Sequence, residues 1–143
     1  MPSSAAYANT GSAKPADVLV LDSGGFSKLS SRTRTALSLV SALHTAGLWP
    51  AVVPTVVLVE SLHGNAGRDA DANRFLKTCI VDAEVGPAVA RRAAELRRRA
   101  RAGSAVDAIV VALAEPGGTV LTGDRADLEA LAAHADDVTI EVV

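Results

Sequence analysis

The sequence is narrowed first by what it has little of. It has a single cysteine, Cys79, so neither an internal disulfide framework nor a cysteine-based zinc site can form. The count fits a reducing compartment. Its three histidines, His44, His63 and His134, fall in no HExxH-type spacing, which argues against a histidine zinc site. Aromatic side chains are scarce, with Tyr7, Phe26, Trp49 and Phe75 making up the whole set. The core must therefore come from Val, Leu, Ile and Ala, as it does where helices cover a buried parallel sheet. No apolar stretch reaches the roughly 18 to 20 residues that span a bilayer. Charge is nearly balanced, at a formal −2, so the molecule as a whole does not attract a polyanion, and such binding needs a local patch.

A chain of 143 residues fits one domain with one core. Residues 1–16 are rich in Ala, Ser, Gly and Pro and contain no apolar h-region. They are expected to be a disordered N-terminal extension rather than a signal peptide, leaving a folded, cytoplasmic domain over residues 17–143.

Within that domain, Val18-Leu-Val-Leu21 reads as a buried strand running into a turn at Asp22-Ser-Gly-Gly25. Apolar residues recur at helical spacing from Ser31 to Ala46, and Gly47 supplies a left-handed stop. The run from Ala51 to Glu60 is β-branched and favours a strand, yet Pro54 interrupts it. We read a two- or three-residue strand, a break at Pro54, then a helix capped by Thr55 and carrying Glu60 towards His63. A short helix over Arg68–Lys77, a strand at Cys79–Val81 and a long helix from Val85 to Arg101 follow. A helix from Ser104 to Ala114, a strand at Thr119–Thr122, a helix over Arg125–Ala133 and a last strand at Val138–Val143 complete the order. Alternating strands and helices imply an α/β fold with a mostly parallel sheet, whose active crevice lies beyond the carboxyl ends of the strands.

Acids mark those ends. Asp22 follows the first strand and Asp124 the fourth, while Glu60 and Asp107 lie on helices that begin near the same edge. Each has a structural explanation on its own. Asp22 can hold the backbone of a turn. Asp107 sits three residues after Ser104, close to a capping box. Asp124 can cap the next helix, with Asp127 in its first turn, and Glu60 can simply face solvent. Together they should converge, an arrangement that like charges disfavour and that a hard divalent cation such as Mg²⁺ or Mn²⁺ would stabilise.

Four segments resemble, in order and spacing, the PIN domain, and within it the VapC-type toxins of bacterial toxin–antitoxin pairs. They are Val18-Leu-Val-Leu-Asp22-Ser23, Pro54-Thr-Val-Val-Leu-Val-Glu60, Ser104-Ala-Val-Asp107-Ala-Ile and Val120-Leu-Thr-Gly-Asp124-Arg-Ala-Asp127-Leu. The resemblance spans residues 18–143. It implies a three-layer PIN-like fold with helices on both faces of a short sheet, and a Mg²⁺- or Mn²⁺-dependent endoribonuclease, a hydrolase of phosphodiester bonds. By resemblance Asp22, Glu60, Asp107 and Asp124 are the catalytic and metal-holding quartet, Asp127 is a further metal-side acid, and Ser23 and Thr122 are accessory hydroxyls. It also implies an RNA substrate, a cognate antitoxin protein, and a homodimer or larger toxin–antitoxin assembly, with no membrane partner. Gly24-Gly25-Phe26 departs from the pattern, where bulkier residues are expected.

The long helix carries Arg91, Arg92, Arg97, Arg98, Arg99 and Arg101 against Glu95 alone. One reading is a solvated face with Glu95 pairing to Arg91 or Arg99. The other makes Arg91, Arg97, Arg98, Arg99 and Arg101 RNA-binding candidates that track phosphates. Trp49 reads as a packing anchor, Cys79 as a core residue and His63 as a surface histidine.

Competing functions are an RNA-processing PIN nuclease without an antitoxin, or a catalytically inactive PIN interaction module. A receiver-type phosphoacceptor is disfavoured because no lysine follows Lys77, and a DxD phosphatase because Ser23-Gly24 follows Asp22.

Overall fold

The structure is a computed structural model that describes residues 18–143. The extension expected over residues 1–16, and the domain boundary at residue 17, lie outside the described residues. In chain order the elements begin with β1 (Leu19–Leu21), α1 (Ser23–Leu29), α2 (Arg34–Thr45) and β2 (Val52–Pro54). Next come α3 (Thr55–Ser61), α4 (Ala70–Leu76), β3 (Ile80–Asp82) and α5 (Pro87–Ala100). The chain then forms α6 (Ala105–Ala114), β4 (Thr119–Thr122), α7 (Ala126–Ala132) and β5 (Thr139–Val142).

The strands form one sheet in the order β3-β2-β1-β4-β5, and every adjacent pair is parallel. β1 lies at its centre with β4 beside it. Their residues Leu19, Val20, Leu21, Val120 and Leu121 are buried together, which explains why both strands read as aliphatic runs without polar alternation. Helices α2 and α3 each pack on α1, and α5, α6 and α7 form a second, mutually packed group. Phe26 and Leu29 of α1 and Val57 of α3 enter the core from the first group. Ala93 and Leu96 of α5, Ala108, Val110 and Val111 of α6, and Leu128 and Leu131 of α7 enter it from the second. Among the described residues, no helix is long and apolar enough to cross a membrane.

The first group is locked by aromatic contacts. Phe75 meets both Phe26 and Trp49 edge to face, each at a ring-centroid distance of 5.7 Å, and Trp49 Nε1 donates to the Thr78 carbonyl at 2.8 Å. Trp49 is thus the packing anchor read from the sequence. Cys79 is half-buried, and burial pushes its thiol up to about 11, so it is a packing residue rather than a nucleophile.

Two local expectations are corrected. The segment expected to turn at Gly24-Gly25 is instead the first turn of α1, because Asp22 caps it by accepting the Gly25 N–H. The cap position of α3 is Pro54 rather than Thr55, and no side chain caps that helix. Pro54 closes β2 in register with Asp82, and its extended backbone (φ −66°, ψ 141°) turns the chain directly into α3.

The second group is held by a charged clamp. Arg92 Nε and Nη2 grip the Glu115 carboxylate at 2.8 and 2.7 Å. Nη2 also donates to the His134 carbonyl at 3.2 Å. The other Nη donates to Glu95 at 2.8 Å, so Glu95 pairs closely with Arg92 and at 3.8 Å with Arg99, one of the two expected partners, and not with Arg91. Its i+3 spacing and the pull of Glu115 at the end of α6 decide the choice. Glu115 further accepts the Asp136 N–H at 2.7 Å, tying α5 and α6 to the loop before β5. Arg92→Ala leaves this carboxylate, 12% exposed, without its main partner. The expected loss is about 1–3 kcal/mol, read as a lower denaturant midpoint at unchanged slope.

Candidate active site

Beyond the carboxyl ends of β1 and β4 lies a cleft of about 260 Å³. Four carboxylates line it, those of Asp22, Asp107, Asp124 and Asp127. Ser23, Gly24, Thr122, Gly123 and Leu128 supply the rest of the wall, so no Lys, Arg or His among the described residues lines it. Asp22 follows β1 and Asp124 follows β4, while Asp107 comes from the first turn of α6 and Asp127 from the first turn of α7.

Asp22 is the most constrained. Only 7% of it is exposed, Oδ1 accepts the Gly25 N–H at 2.7 Å and Oδ2 accepts the Thr122 hydroxyl at 2.5 Å. Thr122, itself buried, also accepts the Asp124 N–H at 3.1 Å, and its hydroxyl lies 2.9 Å from the Asp124 carbonyl. One hydroxyl therefore links the two strand-end acids. Burial pushes the Asp22 carboxyl above its ordinary value. Hydrogen bonds from Gly25 and Thr122 oppose that rise, while the nearby charge of Asp107 adds to it.

The structural explanations for these acids hold alongside their convergence. Asp107 and Ser104 form a full capping box, each side chain accepting the other's backbone N–H at 3.0 Å. Asp124 Oδ1 accepts the Ala126 N–H at 3.2 Å. Each bond engages one carboxylate oxygen and leaves the second without a protein donor among the described residues.

Glu60 is placed elsewhere. It is exposed on α3 and does not line the cleft. Val57 faces the core, and helical geometry brings Ser61 round to that side while Glu60, beside the 83%-exposed Val59, is turned away.

Metal holding depends on this donor set. Among the described residues no three His, Cys, Asp or Glu side chains stand at metal-ligand spacing. The chemistry of the set nonetheless fits a hard cation. Its charged groups are all carboxylates, no basic group among the described residues lines the cleft, and its most buried member is disfavoured as an anion.

The sequence reading missed three features. Gly24 and Gly25 are set by close approach, since a Cβ on Gly24 would lie 2.7 Å from the Gly123 nitrogen and one on Gly25 would fall on the Leu121 carbonyl. The departure from bulkier residues there is thus what lets α1 sit against the end of β4. The second is Asp69, buried behind the loop after α3. Its carboxylate accepts the N–H groups of His63, Gly64 and Asn65 at 2.9 to 3.2 Å and lies 3.0 Å from His63 Nδ1. His63 is therefore a surface residue tied to Asp69. The third is the Glu115 clamp. Asp69 had no motif to reveal it, whereas the Gly123-Asp124 pair after a strand was a usable signal for the cleft wall.

The Asp69 bonds, led by the backbone N–H of His63, lower its carboxyl from 3.8 to about 2. A folded value below the unfolded one gives stability that is present above the unfolded value and lost as pH falls through the folded one. Asp69→Asn should accordingly flatten the stability profile between about pH 4 and pH 2, measured by melting temperature across that window.

No protein-family profile matches this sequence, and no curated protein does. Among solved structures, the chain is similar to a chain of VapBC2 from Rickettsia felis, crystallised bound to a DNA fragment from their promoter. The TM-score is 0.66 over 88% of this chain and 98% of that one. The fold is PIN-like. At 13% sequence identity the likeness is one of fold, and it agrees with the parallel sheet and two helical layers described above. Every motif that carried the sequence resemblance falls inside the described residues, and three of the four meet at the cleft.

Proposed function

We propose that this protein is a metal-dependent endoribonuclease, a hydrolase that cuts RNA phosphodiesters, acting in the cytoplasm as the toxin of a type II toxin–antitoxin pair. The observation that carries the reading is the convergence of Asp22, Asp107, Asp124 and Asp127 on one cleft that, among the described residues, no basic side chain lines. The likeness of fold to a VapBC2 chain supports it.

In this reading Asp22, Asp107 and Asp124 hold Mg²⁺ or Mn²⁺, with Asp127 at the cleft's edge. The bound ion supplies a lowered pKa for an attacking water and charge stabilisation for the phosphoryl oxygens. Thr122 fixes the Asp22 carboxylate and ties it to Asp124. The Gly25 N–H holds the other Asp22 oxygen, and Ser23 offers a hydroxyl at the cleft wall. Glu60 is the outer member of the quartet and acts only if α3 or its side chain reaches the cleft. The RNA-contact candidates are Arg91, Arg97, Arg98, Arg99 and Arg101. A cognate antitoxin and a homodimer, or a larger toxin–antitoxin assembly, belong to the same reading.

The exposed position of Glu60 favours, as a second reading, an inactive PIN interaction module. One assay separates the two. Labelled RNA is incubated with the protein in Mg²⁺ or Mn²⁺, then with chelator, alongside Asp107→Asn. Cleavage that needs the metal and Asp107 is expected. Cleavage that survives chelation would sink the carboxylate–metal mechanism, and its absence under all metal conditions would sink the nuclease reading.

A further inference from the structure

The arginines of α5 do not form one patch. Arg92 is committed to Glu115, Glu95 and the His134 carbonyl. The remaining Glu95 oxygen lies 3.8 Å from Arg99. The one acid of α5 is thereby used, and among the described residues no carboxylate lies within ion-pair distance of Arg97, Arg98 or Arg101. These three line an open cavity of about 490 Å³ together with Ala94, Ala102 and Gly103.

The local geometry gathers them. Arg97 and Arg101 are one helical turn apart and Arg98 is adjacent, so their guanidinium groups rise round a common hollow. Ala94, a turn earlier, leaves its floor low. Arg97 Nε donates to the Gly103 carbonyl at 3.3 Å, which holds that side chain across the hollow with its terminal NH₂ groups still available. Arg101 ends the helix in a left-handed conformation, φ 52°. Capping the helix dipole accounts for one such cation, not three.

Position supplies the second part of the argument. Gly103 lines this cavity, and the next residue, Ser104, donates its N–H to the Asp107 carboxylate at 3.0 Å. Asp107 lines the carboxylate cleft. The cationic cavity and the acidic cleft are therefore neighbours, joined through Gly103, Ser104 and the Ser104–Asp107 hydrogen bond.

Resting on the ribonuclease reading, we infer that Arg97, Arg98 and Arg101 form a subsite for backbone phosphates of single-stranded RNA flanking the bond in the carboxylate cleft. Guanidinium forks suit phosphate oxygens in pairs. Local positive charge offsets the repulsion between a polyanion and four carboxylates. No aromatic ring among the described residues lines the cavity, so the subsite reads the backbone and tolerates any base. It also separates the arginines, since Arg92 is a clamp and Arg91 and Arg99 lie outside the cavity.

The test is binding of a fluorescein-labelled 20-nucleotide single-stranded RNA of mixed sequence, by anisotropy in EDTA across a salt series. The triple variant Arg97→Gln, Arg98→Gln, Arg101→Asn is expected to bind at least about tenfold more weakly near 0.1 M salt. Its log–log salt slope should fall by about 2, the single-strand value for three lost phosphate contacts. Lysine at all three positions should keep most of the slope. A control removing three exposed charges elsewhere, Arg34→Gln, Arg68→Gln, Arg74→Gln, should change affinity less than about threefold. If the first triple fails to fold by circular dichroism, Arg98→Gln alone should lower the slope by about 0.7. Wild-type affinity and slope in the folded variants overturn the subsite, whether or not RNA is cleaved. RNA held through these arginines but never cut in Mg²⁺ or Mn²⁺ keeps the subsite and fells the nuclease reading. Loss of polyglutamate binding with RNA binding intact would assign the cavity to an acidic protein segment and overturn the inference.

Discussion

Asp22→Asn is expected to lower RNA cleavage by roughly 10²–10³-fold, the scale of losing one preorganised electrostatic contact at a reacting centre, while raising thermal stability. The two effects have one origin. Asp22 is buried, and both burial and the charge of Asp107 hold its carboxyl above the ordinary value. A folded value above the unfolded one gives stability that is complete below the unfolded value, 3.8, and is lost as pH rises through the folded one. At neutral pH the wild type therefore carries the cost of a buried anion that asparagine does not.

The replacement keeps the local hydrogen bonds. An asparagine oxygen still accepts the Gly25 N–H. Its NH₂ donates to the Thr122 hydroxyl, which turns its own proton to the Asp124 carbonyl 2.9 Å away. Melting temperature should thus rise in Asp22→Asn without metal. Added Mg²⁺ or Mn²⁺ should raise it in the wild type and much less in the variant. A variant that melts below the wild type, or gains as much from metal, would contradict this account of the cleft.

Gly25→Ala is expected to cost about 1–3 kcal/mol or more, the range for forced overpacking in a filled interior. The new methyl would fall on the Leu121 carbonyl, a backbone atom in the central strand β4 that cannot swing aside. Relief requires α1 to lift from the end of β4. That lift draws the Gly25 N–H off Asp22 and moves the cap that fixes its carboxylate. Both stability and cleavage should fall together in Gly25→Ala, whereas Asp22→Asn separates them. Gly24→Ala is the milder companion, with its nearest contact 2.7 Å from the Gly123 nitrogen. Denaturant melts and the RNA assay on the same preparations check both, and wild-type stability in Gly25→Ala would refute the close approach.

Much of the architecture was legible because local chemistry and global fold agree. Aliphatic runs marked β1 and β4 since both faces are covered. Ser104 and Asp107 announced the start of α6 through a capping box that the structure completes. Pro54 correctly split a β-branched run into β2 and α3 against bare propensity, because a residue without an N–H cannot continue a central ladder. Asp22 and Asp124 were legible as strand-end acids, since the carboxyl edge of a parallel sheet is where chains turn outward.

Other features were decided in three dimensions. Glycines 24 and 25 looked like a turn because glycine's freedom is the usual reason for its presence. Their role is clearance against β4, a contact with a strand about a hundred residues away that no local pattern encodes. The exposure of Glu60 follows from the phase of α3 once Val57 has taken the core, and its spacing in sequence does not carry that phase. The division of the arginines depends on Glu115 reaching Arg92 from another helix.

The sequence by itself determined the alternation of elements, the aliphatic core and the carboxylates at the central strand ends, because periodicity, capping and chain reversal are local. Only the tertiary structure decided which acids share a cleft, which arginines are left uncompensated beside it, and why α1 must begin with two glycines. Those outcomes depend on distances between segments remote in the chain, which packing fixes and spacing does not.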